Sequence, residues 1–258
     1  MPEGDAVRRT ARRLNAALAG EVLIHADLRV PRYATVDLVG ATVLSTATVG
    51  KHLLTRVTHS GDLLTLHSHL RMDGRWATGP SGDRPCAGPN HQVRVWLVGP
   101  RSQAVGLRLM EVAVVPTEAE ADLVGHLGPD IMAPEWDPDA VAQRVRAQGE
   151  RGLVDTVLDQ TVLCGIGTMW AAELAFAAGV DPYRAAAATP GLPQALTRIR
   201  QRMRRAVIDD RRASRARLNV FERAGRPCLR CGTVIRSGRV GAPPQDRITY
   251  WCPDCQAP

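Results

Sequence analysis

The chain has 258 residues, 45% hydrophobic and 23% charged, which excludes a disordered or collagen-like protein and provides apolar surface for two buried cores. No run of about 18 apolar residues could span a bilayer, and the start MPEGDAVRRT lacks the apolar stretch of a secretory signal, so a cytoplasmic protein is expected. The formal charge of +7 is concentrated, with 15 arginines against four acids in residues 196–251; this is the footprint of a polyanion binder, although charge alone also fits a merely basic protein.

Residues 5–19, DAVRRTARRLNAALA, place Val7, Ala11, Leu14 and Leu18 on one face and arginines on the other, which predicts an amphipathic helix. Six β-branched runs follow: EVLIHADLRV, ATVLSTATV, HLLTRVT, DLLTLHSHL, QVRVWLV and VGLRLMEVAVV. Separated by Gly, Pro and Asp, they predict a β-sandwich or barrel ending near Val115. Residues 116–138, rich in acids and prolines, read as a linker. Helical spacing then takes over in AVAQRVRAQ, RGLVDTVLDQ, MWAAELAFAAG and QALTRIRQRMRRAVID. The expected organisation is α+β, with a sandwich over 1–115, a linker over 116–138, helices over 139–220 and a turn-rich piece over 221–258.

That last piece carries Cys228 and Cys231 in one C-x2-C knuckle and Cys252 and Cys255 in a second, 20 residues later. Four thiolates on two knuckles suit one tetrahedral Zn²⁺, with VIRSGRV and RITYW as the hairpin strands between them. Protein ligands fill all four positions, so the metal is expected to be structural, stiffening a hairpin too small for a core of its own. Cys86 and Cys164 read as ordinary thiols.

Pro2 follows the initiator Met, whose removal would leave a secondary amine at the terminus. An α-amino group titrates near about 7.7–8.0, so it is a usable nucleophile at neutral pH. Such an amine could attack C1′ of a nucleotide, with Glu3 beside it to move protons. A proline at position 2 is by itself usually incidental. Of the 33 basic residues only Lys51 is a lysine, which raises the question of what a compact ammonium does there that guanidinium cannot.

MPEGD, GKHLL (50–54), SHLRMDG (68–74), LGPD (127–130), DQTVLCGIGT (159–168) and the terminal RITYWCPDCQ together resemble the formamidopyrimidine-DNA glycosylase and endonuclease VIII family, in the family's order and over nearly the whole chain. The resemblance implies an N-terminal β-sandwich with its helix, a helix–two-turn–helix module and a zinc-finger hairpin. It implies a base-excision repair enzyme that binds damaged duplex or single-stranded DNA and acts as glycosylase and abasic-site lyase by β,δ-elimination; nothing in the sequence suggests more than a monomer, nucleoid-associated if bacterial.

By position, Pro2 resembles the Schiff-base nucleophile and Glu3 the catalytic acid. Lys51 resembles the lysine that contacts the lesion phosphate and assists elimination, and Arg247 the zinc-finger arginine that grips the backbone. Met72 resembles the residue that fills the gap left by a flipped nucleotide. Gly165 and Gly167 lie where a turn meets a helix start, suited either to phosphate or to a tight helix–helix turn.

Two features depart from the family pattern. Thr168 stands where Asn is common, and the Arg-Phe wedge loop of the purine-reading branch has no counterpart placed in VGLRLMEVAVV. The opening Pro-Glu-Gly-Asp resembles the endonuclease VIII side, which favours oxidised pyrimidines. The rival readings are a non-catalytic binder of damaged DNA with the same fold, and a zinc-ribbon transcription or RNA-binding factor.

Overall fold

Alternating apolar residues between Glu21 and Pro116 build two antiparallel four-stranded sheets. The computed structural model describes residues 2–208 and 218–256. Met1 with its expected removal, residues 209–217 with four arginines of the basic tract, and residues 257–258 lie outside the described residues. The chain forms two compact units. One comprises the residues up to Pro2 together with Ala6–His126, and the other comprises Glu3–Asp5 with the chain from Leu127 onward.

In the first unit, helix α1 (Gly4–Leu18) is followed by strands β1 (His25–Leu28), β2 (Thr42–Val49), β3 (His52–His59), β4 (Asp62–His69), β5 (Arg75–Pro80), β6 (Val93–Val98), β7 (Ser102–Leu107) and β8 (Glu111–Pro116). The first sheet has the order β1-β6-β7-β5 and the second β2-β3-β4-β8. Leu28, Val95 and Leu97 of the first sheet share a core with Val43, Leu53 and Leu66 of the second. The apolar face of α1 joins them: Val7, Ala11, Leu14 and Leu18 are at most 4% exposed. Truncating one such leucine to alanine costs about 2–5 kcal/mol.

Two strands differ from the sequence reading. VGLRLMEVAVV is two strands, because β7 and β8 belong to different sheets and the chain must turn between them at Arg108–Met110, where Arg108 adopts a φ of +51°. Strand β5 has no β-branched run to announce it, only Trp76 in RWATGP; it forms because β7 offers it an edge. After β8 comes a single turn (Thr117–Ala119) and a short helix α2 (Glu120–Val124). The Glu120 carboxylate accepts from Arg56 Nε at 2.7 Å, Arg56 Nη2 at 2.6 Å and Thr65 Oγ1 at 2.6 Å, which straps this segment to the outer face of the second sheet.

The second unit contains helices α3 (Pro138–Arg146), α4 (Leu153–Leu158), α5 (Thr168–Ala178) and α6 (Leu192–Ile208). Asp137 caps α3 by accepting from Asp139 N and Ala140 N, with Pro138 at the first helical position. Helix α5 is apolar all round and central, buried continuously from Trp170 to Phe176. Strands β9 (Arg236–Val240) and β10 (Arg247–Trp251) pair antiparallel as the hairpin expected from VIRSGRV and RITYW. The hairpin completes its packing on a neighbour: Ile235, Tyr250 and Cys252 pack with Ala172 and Phe176 of α5 and with Val220.

Candidate active site

Helix α5 begins at a glycine, which has no side chain to cap the exposed N–H groups. Glu3 supplies the missing acceptor from the far end of the sequence. Its carboxylate accepts from the N–H groups of Gly167 and Met169, each at 2.8 Å, and of Trp170 at 3.3 Å. The last two are the amides that a side chain at the capping position would normally satisfy. Glu3 is 4% exposed. Gly167 is required for this arrangement, since a Cβ there would lie 2.5 Å from the Glu3 carboxyl carbon. Around the same residues Gly4 N donates to Gly165 O at 2.8 Å, and Trp170 Nε1 donates to Asp5 Oδ1 at 3.2 Å. The sequence reading offers the helix-start amides to a phosphate; the structure gives three of them to Glu3.

One turn further along α5, Glu173 is fully buried. It accepts from Arg202 Nη1 at 2.7 Å, from Asn219 N and Nδ2, each at 2.8 Å, and from Val220 N at 2.9 Å. The Arg202 guanidinium also lies over the Trp170 ring, 5.3 Å from its centroid. Glu173 thereby ties the entry of the cysteine hairpin to the helix whose start holds Glu3. No spacing in the sequence marks Glu173; only its complete burial does.

The four cysteines converge. Cys228 and Cys255 sulfurs are 3.9 Å apart, Cys231 and Cys252 sulfurs 3.5 Å, and all four lie within 4.8 Å of one another. A tetrahedron with metal–sulfur bonds of about 2.3 Å has edges of about 3.8 Å, so this donor set fits one metal ion. Arg247, exposed at the start of β10, donates to the carbonyls of Gln245 and Asp246. It lines a cleft of about 470 Å³ together with Arg151, Asp155 and Asp159, where Arg151 is paired to both acids.

In the first unit, Lys51 sits on the turn between β2 and β3 and is 8% exposed, and Pro2 is half-buried. Met72 is on a turn after β4, not in a strand, and is 66% exposed. A second methionine escaped the sequence reading. Met110, 78% exposed, follows Arg108 on the β7–β8 turn. His69 is paired with Glu111 across β4 and β8, and Arg71 is ion-paired to Glu111, so the two methionine-bearing turns leave the same end of one strand pair. An Arg with two apolar neighbours in a run read as continuous strand was the available signal. The structure thus brings Glu3, Gly167 and Thr168 together in the second unit, which also holds Arg247 and the cysteines, while Pro2, Lys51 and Met72 belong to the first.

Residues 1–127 match the formamidopyrimidine-DNA glycosylase N-terminal domain. Over its whole length the chain is 46% identical to a probable endonuclease 8 of Streptomyces coelicolor, covering 94% of that protein. It is 39% identical to a DNA-(apurinic or apyrimidinic site) lyase of Mycolicibacterium smegmatis, with 99% of each covered. It is 30% identical to endonuclease 8 of Escherichia coli, with 99% of this chain and 100% of that protein covered. Among solved structures, the Lactococcus lactis Fpg in complex with abasic-site DNA superposes with a TM-score of 0.83 at 20% identity, covering 100% of both chains; this shows the fold. The chain belongs to the formamidopyrimidine-DNA glycosylase and endonuclease VIII family.

Proposed function

We propose that this protein, a DNA glycosylase and abasic-site lyase of base-excision repair, uses the secondary amine of Pro2 as its nucleophile and oxidised pyrimidines as its preferred lesions. The observation that carries the reading is the fixed carboxylate of Glu3, the covalent neighbour of Pro2, held by three amides at the start of α5. A carboxylate so held can take the proton from the Pro2 ammonium and return it to the sugar oxygen. The Pro2 nitrogen forms a bond to C1′ as the glycosidic bond breaks, and the remaining proton on that nitrogen goes to the departing base. Opening of the C1′–O4′ bond, with the proton delivered to O4′, leaves an iminium. Loss of a C2′ proton then expels the 3′ phosphate, a second elimination expels the 5′ phosphate, and water releases the amine.

Lys51 and Arg247 supply charge to the flanking phosphates, with Thr168 donating from the helix start and Gly167 leaving room for Glu3. Met72, joined by Met110, fills the gap left by the extruded nucleotide. The cysteine cluster would hold one structural Zn²⁺, with Cys228, Cys231, Cys252 and Cys255 as ligands. Such an ion stiffens the hairpin that bears Arg247 and takes no part in the chemistry. Among the described residues no helix is long and apolar enough to cross a membrane; in a bacterial cell, a DNA substrate places the protein's action at the nucleoid. The preference for pyrimidines follows the Pro-Glu-Gly-Asp opening and the endonuclease 8 relatives.

Borohydride trapping on oligonucleotides containing thymine glycol, 8-oxoguanine or an abasic site tests this. The expected result is a covalent adduct through Pro2, faster on thymine glycol than on 8-oxoguanine and absent when the terminal amine is chemically blocked. Tight binding to abasic DNA with neither adduct nor strand cleavage would transfer the reading to a non-catalytic damage binder.

A further inference from the structure

One end of the sandwich carries a lysine, two methionines and three arginines in spatial order. In the second sheet, Val49 pairs with His52 at the Lys51 turn, and His52, His69 and Glu111 line up across β3, β4 and β8. In the first sheet, Arg75, Leu107 and Val93 line up across β5, β7 and β6, with Leu28 of β1 beside Val95. The chain crosses between the sheets twice at this end, through residues 70–74 and 108–110, and these crossings bear the exposed Met72 and Met110. The methionines therefore stand between Lys51 on the second sheet and Arg29, Arg94 and Arg108 on the first. Packed sheets lie about 10 Å apart, which sets the scale of that separation.

A cavity of about 290 Å³ opens on the first-sheet side, lined by Arg29, Arg94 and Arg108 and by the apolar Val30, Pro31 and Met110. Arg29 Nε donates to Asp27 Oδ2 at 2.6 Å, and its Nη1 donates to Asn90 Oδ1 at 2.6 Å and Asn90 O at 3.1 Å. Arg94 Nη1 donates to the carbonyls of His91 at 2.9 Å and Val93 at 3.1 Å. These bonds brace both guanidiniums and leave the Nη2 group of each for a further acceptor. Arg108 is exposed, and its backbone takes a left-handed φ of +51°, which a non-glycine residue adopts only where its surroundings hold it. Its amide donates to Gln92 O at 2.8 Å, pinning this crossing against the start of β6. Asp27 is the one carboxylate ion-paired to any of the three arginines among the described residues, so the cavity keeps an excess of positive charge.

We propose that Arg29 and Arg94, with Arg108 at the rim, hold a phosphate of the undamaged strand opposite the lesion. Guanidinium forks suit phosphate oxygens, and Val30 and Pro31 suit the sugar beside them. The choice of strand follows from the order of groups at this end. Side chains that fill a gap in the base stack lie between the two backbones, so phosphates held on either side of them belong to different strands. The inference rests on the readings of Lys51 as a damaged-strand contact and of the methionines as gap fillers. The test measures binding of the full-length protein to an oligonucleotide bearing a tetrahydrofuran abasic-site analogue, single-stranded and annealed to its complement, across a salt series. The proteins compared are wild type, Lys51→Ala, Arg94→Gln and the double variant Arg29→Gln/Arg94→Gln.

The double variant is expected to bind the duplex about tenfold more weakly at low salt. The steepness of log affinity against log salt should fall by about 0.9 on the duplex, the value of one phosphate contact, and stay at the wild-type value on the single strand. Arg94→Gln should shift the duplex slope in the same direction by less. Where the double variant fails to fold, Arg94→Gln carries the test, because the bonds it loses run only to carbonyls of its own neighbours. Lys51→Ala should lower the slope on both substrates. An unchanged duplex slope in the glutamine variants, or an equal loss on duplex and single strand, overturns the undamaged-strand site alone. An unchanged single-strand slope in Lys51→Ala overturns the damaged-strand reading of Lys51, and with it the strand assigned to the arginines.

Discussion

In the second unit the carboxylates of Glu3 and Glu173 are almost wholly buried and each accepts at least three N–H bonds, whereas in the first unit Met72 and Met110 stand 66% and 78% exposed on turns. The contrast fits the roles proposed for Glu3 and for the two methionines, while Glu173 shows the same kind of seat used to tie the hairpin to α5. A proton-transfer group works only where its position and charge are set in advance, so it is held by backbone donors that cannot swing away. A side chain that replaces a stacked base must leave its own protein, so it sits where turns project and little holds it. Between these extremes lie His52, His67 and His69 on one face of the second sheet, polar and mostly buried, held by one side-chain pair and one backbone amide.

Removing the metal site should divide the two units most sharply. A Cys228→Ser variant, or the native protein with chelator, is expected to lose the small core of Ile235, Tyr250 and Phe176 while the sandwich survives. Coupling of a structural zinc to folding is worth about 10 kcal/mol or more, so hydrogen exchange should reach β9 and β10 rapidly while β3 and β4 stay protected. Equal loss of protection in both units would remove the distinction.

Glu173→Gln comes next. It presents an amide donor to several donors and leaves Arg202 without its charge partner, an expected loss of about 3–5 kcal/mol in denaturant unfolding. Gly167→Ala is expected to displace Glu3, because its Cβ would enter the carboxyl group. Base excision should fall about 100-fold or more with abasic-site binding retained, as loss of a placed acid–base group does. Native rates in this variant would show that Glu3 has no need of its helix-start seat.

The histidines make the first unit the acid-sensitive one. Burial holds His52 at about 3 and His69 at about 4 in the folded state, below the ordinary histidine value of 6.5. The unfolded chain therefore binds more protons between these limits. Their stabilising contribution is complete above about pH 6.5 and is lost as the pH falls towards 4, so denaturant midpoints of the first unit should drop over that window. A His52→Phe/His69→Phe double variant should flatten the drop.

The smallest effect on stability is expected at the methionines. Met72→Ala and Met110→Ala should change unfolding free energy by less than about 0.5 kcal/mol, since both side chains face solvent. Excision should nevertheless slow several-fold on a lesion in duplex DNA and hardly at all in a single strand, where no stack has to be opened. Equal slowing on both substrates would remove the gap-filling role.

Elements with strong local periodicity were legible in the sequence. The amphipathic stripe of α1, the long runs of β2, β3 and β4, the apolar α5 and the paired cysteine knuckles each announce themselves within a few residues. Strand β5 and the break between β7 and β8 did not, because both depend on which sheet a neighbouring strand joins, and alternation looks the same in either.

The candidate site divides along the same line. Pro2, Glu3, Lys51, Arg247 and the cysteines were selected by type, position and resemblance. That Glu3 caps a helix beginning 165 residues later, that Gly167 is bare to admit it, and that His52, His67 and His69 share one face were decided only by the tertiary structure. A sequence pattern records which side of an element is buried, because burial repeats with the local geometry of the chain. It does not record what lies against that side, because such contacts depend on loop paths and strand order that leave no period behind.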